Sequence, residues 1–353
     1  IIELQPAAMP SEKSHPPIKI VGVILTYWTV SISMVFANKY LVGDKLSNKL
    51  DVSLFVAWAQ CVSTVLVVVA LVAFRRLVLG HDIELPPLSR EILLNRDFLL
   101  LSCMFTGMLT FNNLCLKYVG VAFFQVARSM TLIFTVIFSS ILLRRVSSLP
   151  VWLCCLIVAA GFVLGVDQEK VAGTLSTVGV MYGVSTSLFV SLNGIFTKRL
   201  LDMISKNQAL AVTYYMNIGG SILFMPLLIC FGQFSAAYSS RGTDFSFLLL
   251  LASSGVLSFL IGWASNMQID YTSPVTHHIS NNTKAVLQTL LAVFVYSEHK
   301  SAIWWLSNCL VVAGAFSYTM VKMREERLRR EAEAAAAAAA AAGANGKSDQ
   351  LNI

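Results

Sequence analysis

Apolar runs long enough to cross a bilayer recur along almost the whole of this chain. A transmembrane helix needs about 20 consecutive, mostly apolar residues. Candidate runs cover about residues 18–43, 52–74, 97–117, 121–143, 149–167, 174–198, 208–232, 245–268, 274–296 and 301–322. The sequence therefore predicts an all-α polytopic membrane protein with ten transmembrane helices in the lipid bilayer.

The composition excludes an ordinary soluble protein. Only 13% of the residues are charged and 56% are hydrophobic, whereas a soluble domain carries about a quarter charged residues. The 26 Lys and Arg outnumber the 19 Asp and Glu, but most cations lie in short connections between apolar runs. That placement follows the positive-inside rule and gives no indication of a nucleic-acid partner.

The distribution of cations predicts the orientation. If the N-terminus is cytosolic, the connections on the opposite side hold only Lys45, Lys49, Lys117, Lys170, Arg241 and Lys300. Both termini are therefore expected in the cytosol. Residues 1–17 are expected to be a disordered cytosolic segment, and residues 323–353 a cytosolic low-complexity tail that is locally helical and then frays.

An internal repeat predicts the architecture. At an offset of 153 residues, three spans match their counterparts in one register, and an offset of 155 relates the first and sixth spans. The matches are Asn113 with Asn266, Tyr118 with Tyr271, Trp152 with Trp305, Gly161 with Gly314, Tyr27 with Tyr182 and Asn38 with Asn193. Two repeats of five spans, about 18–167 and 174–322, insert with opposite topology, which places a substrate site at their interface.

The ninth span carries one polar face. His277, Asn281, Lys284 and Gln288 recur at helical spacing. A lysine in the middle of a membrane costs about 2.5–3.5 kcal/mol on insertion scales. This face is therefore predicted to line a water-filled cavity or to meet an anion.

The repeat gives this face a partner in the fourth span. The 153-residue offset carries His277 onto Phe124 and Asn281 onto Arg128. Two inverted helices that present Arg128 and Lys284 to one cavity form a clamp for a di-anion such as a diphosphate. Lys39, near the end of the first span, either lines the same cavity or extends to the membrane interface.

The seventh span contains Tyr214, Tyr215 and Asn217. A tyrosine can stack on a base, and an asparagine amide can both donate to and accept from a purine edge. The alternative is an aromatic pair near the membrane interface, with Asn217 bonding between helices. The residues alone leave these interpretations open.

Several missing features narrow the function. No Asp or Glu lies in the middle of a span, which disfavours proton-driven transport, and no Walker A loop is present. No catalytic constellation indicates a membrane-embedded enzyme, and His277 and His278 lack further ligands for a metal, so neither a metal nor a cofactor is expected. A non-transporting receptor stays as a rival.

Specific strings carry a family resemblance. They are MVFANKYLV (34–42), TFNNLCLKYVGVAF (110–123), GFVLGVDQE (161–169), GTLS (173–176), SLN (191–193) and TSPVTH (272–277). On these strings the chain resembles the Golgi nucleotide-sugar transporters of the drug/metabolite transporter superfamily, and most of all the GDP-fucose transporters.

The resemblance implies a Golgi antiporter that imports GDP-fucose in exchange for GMP by alternating access. It places the nucleoside near Tyr27, the diphosphate at Arg128 and Lys284, and the guanine at Tyr215 and Asn217 beside Tyr214. His277 and Asn281 would lie nearest the sugar, with Phe124 and Gln288 as further candidates.

Two departures from the family pattern keep other cargoes open. Met216 stands where the family has asparagine, and Asn281-Asn282-Thr283 precedes Lys284 where Gly-Thr-Ala is usual. A transporter of GDP-mannose or of a UDP-sugar is therefore the alternative. The oligomeric state is open too, because small residues such as Gly161 and Gly314 could pack within the bundle or between two copies.

Overall fold

The computed structural model describes residues 17–43, 51–79, 90–142, 147–203, 208–241, 244–271 and 274–350. Within these ranges the chain forms helices and no strand. The predicted N-terminal segment lies outside the described residues except for Pro17.

The helices follow one another with short connections. They are α1 (Pro17–Val42), α2 (Ser53–Leu79), α3 (Arg90–Leu93), α4 (Arg96–Tyr118), α5 (Val121–Leu142), α6 (Leu149–Val171), α7 (Thr177–Met203), α8 (Gln208–Cys230), α9 (Gln233–Arg241), α10 (Phe245–Tyr271), α11 (Pro274–Val295) and α12 (Ala302–Gln350).

Nine of these described helices are long and apolar enough to cross a membrane, namely α1, α2, α4 to α8, α10 and α12. They confirm nine of the ten predicted spans. The ninth predicted span forms a helix, α11, but falls outside this set because its polar residues, Lys284 among them, lower its hydropathy. Helix α12 continues past the predicted end of its span to Gln350, through charged residues and alanines that favour helix.

The outer surface of the bundle is apolar. Leu77 is 83% exposed, Phe294 82% and Ile229 71%, and many other large apolar side chains on the membrane-spanning helices are exposed as well. In water such a surface would be unfavourable. It fits a protein whose outer faces contact lipid.

Helices α6 and α12 pack closely and reciprocally. A methyl group added at Gly161 of α6 would lie 2.9 Å from the carbonyl oxygen of Ser307 and 2.9 Å from Val311 of α12. A methyl group added at Gly314 of α12 would lie 3.2 Å from the carbonyl oxygen of Cys154 and 2.7 Å from Val158 of α6. Each contact is the other one shifted by the 153-residue offset, which is the relation expected of two antiparallel helices around a local two-fold axis.

Helix α7 approaches α5 through a glycine. A methyl group at Gly183 would lie 2.6 Å from the Ala127 side chain, and the Ser187 hydroxyl donates to the Ala127 carbonyl at 3.0 Å. Small residues let membrane helices come this close.

At the end of the bundle where α1 and α4 finish, polar groups join four helices. Gln60 Nε2 donates to Asn38 Oδ1 at 2.8 Å and to Ser254 at 3.1 Å, and Asn38 Nδ2 reaches Asn113 Oδ1 at 3.4 Å. The Lys39 ammonium donates to the carbonyls of Leu116 and Val119 at 2.6 and 2.7 Å. A cation at a helix C-terminus is favourable, so this end is tied together.

Ion pairs reinforce the same end. Lys300 lies 2.6 Å from Glu169, and both side chains are less than 10% exposed. In the loop before α2, burial opposes ionisation of Asp51, but hydrogen bonds from Ser53 and the charge of Lys117, 3.3 Å away, outweigh it and lower the pKa of Asp51.

Candidate functional site

Side chains of α1 and α11 meet in a polar cluster inside the bundle. The Tyr27 hydroxyl of α1 lies 2.6 Å from Asn281 Oδ1 of α11. The Lys284 ammonium donates to the Ser31 hydroxyl at 2.6 Å and lies 3.4 Å from the Tyr27 hydroxyl. Lys284 also lies 4.9 Å from the centre of the Tyr27 ring. The cluster exists because Tyr27 and Ser31 are one turn apart on α1, and Asn281 and Lys284 nearly one turn apart on α11.

His277 links this cluster to α10. Its ring lies 5.0 Å from the Tyr27 ring, and the side chain is 8% exposed. Its Nε2 lies 3.0 Å from Asn281 Nδ2, and its Nδ1 lies 3.0 Å from Gln268 Oε1. The polar face predicted on the ninth span is therefore continued onto α10 by Gln268.

Arg128 of α5 lies near the same cluster. Its guanidinium carbon lies 5.5 Å from the centre of the Phe124 ring, and it is close enough to Lys284 and Tyr27 to interact with them electrostatically. No ion pair found among the described residues involves Arg128 or Lys284. Both cations are partly buried. Two partly buried cations without a carboxylate partner among the described residues favour an anionic ligand, since an uncompensated charge away from water is costly.

Phe124 and Gln288 lie beside these cations in sequence but are enclosed. Phe124 is 0% exposed and Gln288 1% exposed, and the Gln288 Nε2 has no hydrogen-bond partner among the described residues. Asn282 faces away from Lys284, toward α12, where its Nδ2 lies 3.3 Å from the Thr319 hydroxyl.

The tyrosines of α8 lie in another cluster. Tyr215 is 1% exposed and packs edge-on against Phe98 of α4, with ring centres 6.0 Å apart. Tyr214 contacts Tyr215 at 6.0 Å, and Asn217 Nδ2 donates to the Thr213 carbonyl of its own helix at 2.8 Å. The structure thus gathers Tyr27, Arg128, His277, Asn281 and Lys284, and gives Tyr215 and Asn217 contacts with α4 and α8.

Three residues of the cluster were missed by sequence reasoning. Ser31 follows Tyr27 by one turn, so helical spacing could have found it once Tyr27 was chosen. Gln268 lies at the end of an apolar span, close to Asn266 and Asp270, so its amide did not stand out from its neighbours. Trp28, whose indole Nε1 donates to Ser280 at 2.8 Å, gave no distinguishing signal.

Lys39, a candidate ligand by sequence, is placed away from the α11 cluster. Its ammonium is engaged by the carbonyl oxygens at the end of α4. This contact lies near the end of α1, for which the sequence had left open a role in the cavity or an extension to the membrane interface.

The profile of the Triose-phosphate Transporter family matches residues 18–319, which is most of the chain. The chain belongs to this family. Membership of the Triose-phosphate Transporter family confirms the prediction of a transporter rather than an enzyme.

Several relatives of this family member have names that state the transported substrate. The chain is 41% identical to GDP-fucose transporter 1 of Mus musculus, over 91% of this chain and 89% of the mouse protein. It is 40% identical to the GDP-fucose transporter of Caenorhabditis elegans, over 87% of this chain and 83% of the worm protein. It is 37% identical to the Golgi GDP-fucose transporter of Drosophila melanogaster, over 87% of this chain and 91% of the fly protein. The resemblance found in the sequence is confirmed.

A solved crystal structure of a protein shares the fold of this family member. The superposition has a TM-score of 0.54 and covers 88% of this chain and 99% of the other, at 15% identity. At that identity the likeness concerns the fold alone.

Proposed function

We propose that this member of the Triose-phosphate Transporter family is a Golgi GDP-fucose transporter that exchanges GDP-fucose for GMP. The observation that carries the proposal is the pair of cations Arg128 and Lys284, which have no carboxylate partner among the described residues and share a cluster with Tyr27 and Asn281. The three relatives named as GDP-fucose transporters support the cargo.

The proposed architecture is ten membrane-crossing helices in two inverted repeats, with α11 as the tenth. The reciprocal contacts of Gly161 and Gly314 across α6 and α12 support this arrangement. The cap residues support it as well: Ser301, before α12, donates to Gln168 at 2.7 Å, and Ser148, before α6, donates to Glu325 of α12. A polar helix such as α11 can cross a membrane when its polar face is turned into the protein.

Each site residue has a proposed role. Lys284 and Arg128 bind the two phosphates, and Tyr27 lies against the nucleoside. His277 and Asn281 are nearest the sugar. Tyr215 and Asn217 are proposed to recognise guanine, which requires the α8 cluster to open toward the cavity when the ligand binds, because Tyr215 is now 1% exposed.

Charge balance explains why such a site would exchange rather than release its cargo. When the cavity is empty, reorienting it leaves two cations desolvated without a counter-charge, which costs free energy. When a nucleotide is bound, its negative charge neutralises the two cations. Alternating access would then proceed only with GDP-fucose or GMP bound. Both termini are proposed to face the cytosol, from the distribution of Lys and Arg.

Competition in proteoliposomes tests the cargo. Uptake of labelled GDP-fucose should be inhibited by GMP and by unlabelled GDP-fucose at concentrations where UMP has no effect. Inhibition by UMP at equal concentration would indicate a UDP-sugar transporter, and stronger inhibition by GDP-mannose than by GDP-fucose would indicate a GDP-mannose transporter. Conversion of GDP-fucose by the purified protein, or binding without uptake, would instead support the enzyme or the receptor.

A further inference from the structure

A crevice between α11 and α12 opens on the outer surface of the bundle. It has a volume of about 670 Å³ and is also lined by Trp28 of α1 and Gln125 of α5. Its rim is exposed, since Val286 of α11 is 37% exposed and Phe316 of α12 is 44% exposed. Small-molecule sites in proteins have volumes of about 300–1,000 Å³. The crevice is therefore large enough to hold a molecule that enters from the membrane.

The crevice is separate from the polar cluster that holds the proposed cargo site. Val286 follows Lys284 by two residues, which turns it by about 200° around α11 in a helix of 3.6 residues per turn. The crevice and the polar cluster thus lie on opposite sides of α11. A molecule in the crevice would not compete with a nucleotide bound at Lys284.

The lining of the crevice is apolar except for hydroxyl groups and three carboxamides, those of Gln125, Asn282 and Asn308, and no charged residue among the described residues lines it. The Gln125 side chain makes no hydrogen bond with any described residue. Asn308 is 8% exposed, and its one contact is a long one, 3.5 Å from Nδ2 to the Trp304 carbonyl of its own helix. Unpaired amides away from water are costly, so this lining favours an uncharged ligand with a group that donates and accepts.

Gln125 and Asn308 lie at similar depths in the membrane. Helices α5 and α12 begin at the same end of the bundle, where a methyl group added at Gly120 would lie 3.0 Å from Glu298 Oε1. At 1.5 Å per residue, Gln125 lies about 6 Å below the start of α5 and Asn308 about 9 Å below the start of α12. This end is luminal in the orientation predicted from the sequence. The two amides are therefore close to the luminal interface, where the polar ends of lipids lie.

The apolar part of the crevice extends from this level toward the middle of the bilayer. Along α12 it runs from Trp305 to Phe316, a distance of about 16 Å. That length is about half of the hydrocarbon core, which is about 30 Å thick. The rings of Trp28, Trp305 and Phe316 provide broad apolar surfaces for a flat, rigid molecule. A sterol combines such a body with one hydroxyl, which both donates and accepts.

We propose that the α11–α12 crevice binds a sterol of the luminal leaflet. Its hydroxyl meets the amides of Gln125 and Asn308, and its ring system lies along α12 between Trp305 and Phe316. The inference goes beyond nucleotide-sugar transport and does not depend on the cargo. A phospholipid head group is disfavoured as the occupant because its phosphate would meet no cation in this lining.

Photolabelling tests the site. The purified full chain in phosphatidylcholine vesicles should be labelled on α11 and α12 by a cholesterol analogue with a photoreactive side chain, and excess cholesterol should prevent the labelling. Val286→Trp fills the crevice and should lose most of the labelling. The matched control Val163→Trp changes a side chain of α6 that is 65% exposed and should be labelled as the wild type. Wild-type labelling of Val286→Trp, or equal protection by excess diacylglycerol, would overturn the proposal.

Competition by a sterol without the hydroxyl tests the role of the amides. Against the wild type, cholestene, which has a hydrogen in place of the hydroxyl, should compete about fivefold more weakly than cholesterol, as expected for one hydrogen bond. Against Gln125→Leu, which keeps the size of the side chain and loses its amide, the two sterols should compete nearly equally. Undiminished preference for cholesterol in Gln125→Leu would overturn the proposed binding mode, and no preference in the wild type would overturn recognition of a sterol hydroxyl.

Discussion

Two helix pairs occupy equivalent positions under the repeat offsets and pack differently. In one, Gly183 of α7 lies against Ala127 of α5, close enough that an added methyl group would be 2.6 Å from it. In the other, the equivalent residues are Trp28 of α1 and Ser280 of α11, joined through the indole Nε1 at 2.8 Å. A glycine closes the first pair and a tryptophan holds the second apart.

The difference explains where the polar cluster can lie. Helices α5 and α7 leave no room between them, whereas α1 and α11 are separated enough for Tyr27, Ser31, Asn281 and Lys284 to meet. In an inverted-repeat transporter the two equivalent pairs are expected to exchange such arrangements when the site opens to the other side. Each pair takes one helix from each proposed repeat, and here the α5–α7 pair forms the closed contact while the α1–α11 pair holds the polar cluster.

The largest expected effect is on ligand binding at the α1–α11 pair, where the polar cluster lies. Lys284→Ala should weaken GDP-fucose binding by at least about 30-fold, because removing one partner of a buried charge pair costs about 2–5 kcal/mol and every 1.4 kcal/mol is about tenfold in affinity. Calorimetry measures it. The control Lys19→Ala, at the exposed start of α1, should bind normally. Wild-type affinity in Lys284→Ala would show that the phosphates bind elsewhere.

A larger side chain between α5 and α7 should lower the stability of the folded protein. Gly183→Leu forces α5 and α7 apart and should cost about 3 kcal/mol, the upper range for overpacking, seen as a lower Tm in detergent. Gly22→Leu is the matched control, since nothing lies within 4 Å of a methyl group there. An unchanged Tm in Gly183→Leu would mean that the α5–α7 contact is not close in the folded protein.

The α6–α12 contact provides a reference for the size of these stability effects, because it joins one helix from each proposed repeat. Gly161→Ala and Gly314→Ala should each destabilise by about 1 kcal/mol, and by nearly equal amounts, because their contacts are related by the same offset. Thermal melting of the two variants side by side measures this. A large effect from one and none from the other would argue against the two-fold relation.

The smallest expected effect concerns the indole of the open pair. Trp28→Phe keeps most of the bulk between α1 and α11 but loses the bond to Ser280, and should weaken GDP-fucose binding about fivefold, as expected for one hydrogen bond. Trp28→Ala should weaken it more, since the helices could then close on the cavity. If Trp28→Ala weakened binding no more than Trp28→Phe does, the size of the Trp28 side chain would have no role in keeping α1 and α11 apart.

Much of the fold could be predicted from the sequence because membrane spans depend on local apolarity. The run over 149–167 needed no partner to be recognised, and the repeat offset predicted the pairing of Gly161 with Gly314 in sequence. Helix α9 was not predicted, since it is short and its role is tertiary: Gln233 Oε1 accepts from the backbone amides of Leu54 and Phe55 at the start of α2.

Only part of the candidate site could be predicted from the sequence. Helical spacing on α11 identified the face with His277, Asn281 and Lys284, since that pattern is local. The resemblance supplied Tyr27, but Ser31 and Gln268 become part of the cluster only through the packing of α1 and α10 on α11. Burial of Tyr215 against Phe98 is likewise a tertiary fact that the aromatic sequence of α8 did not contain.

Exchange is the proposed step that connects Arg128 and Lys284, which have no carboxylate partner among the described residues, to transport, and proteoliposomes measure it directly. Vesicles containing the wild-type chain and preloaded with GMP should take up GDP-fucose several-fold faster than empty vesicles, because in the proposed exchange the site at Arg128 and Lys284 reorients with a nucleotide bound in both directions. Vesicles containing Lys284→Ala should show no such stimulation. Equal uptake by GMP-loaded and empty wild-type vesicles would contradict the account.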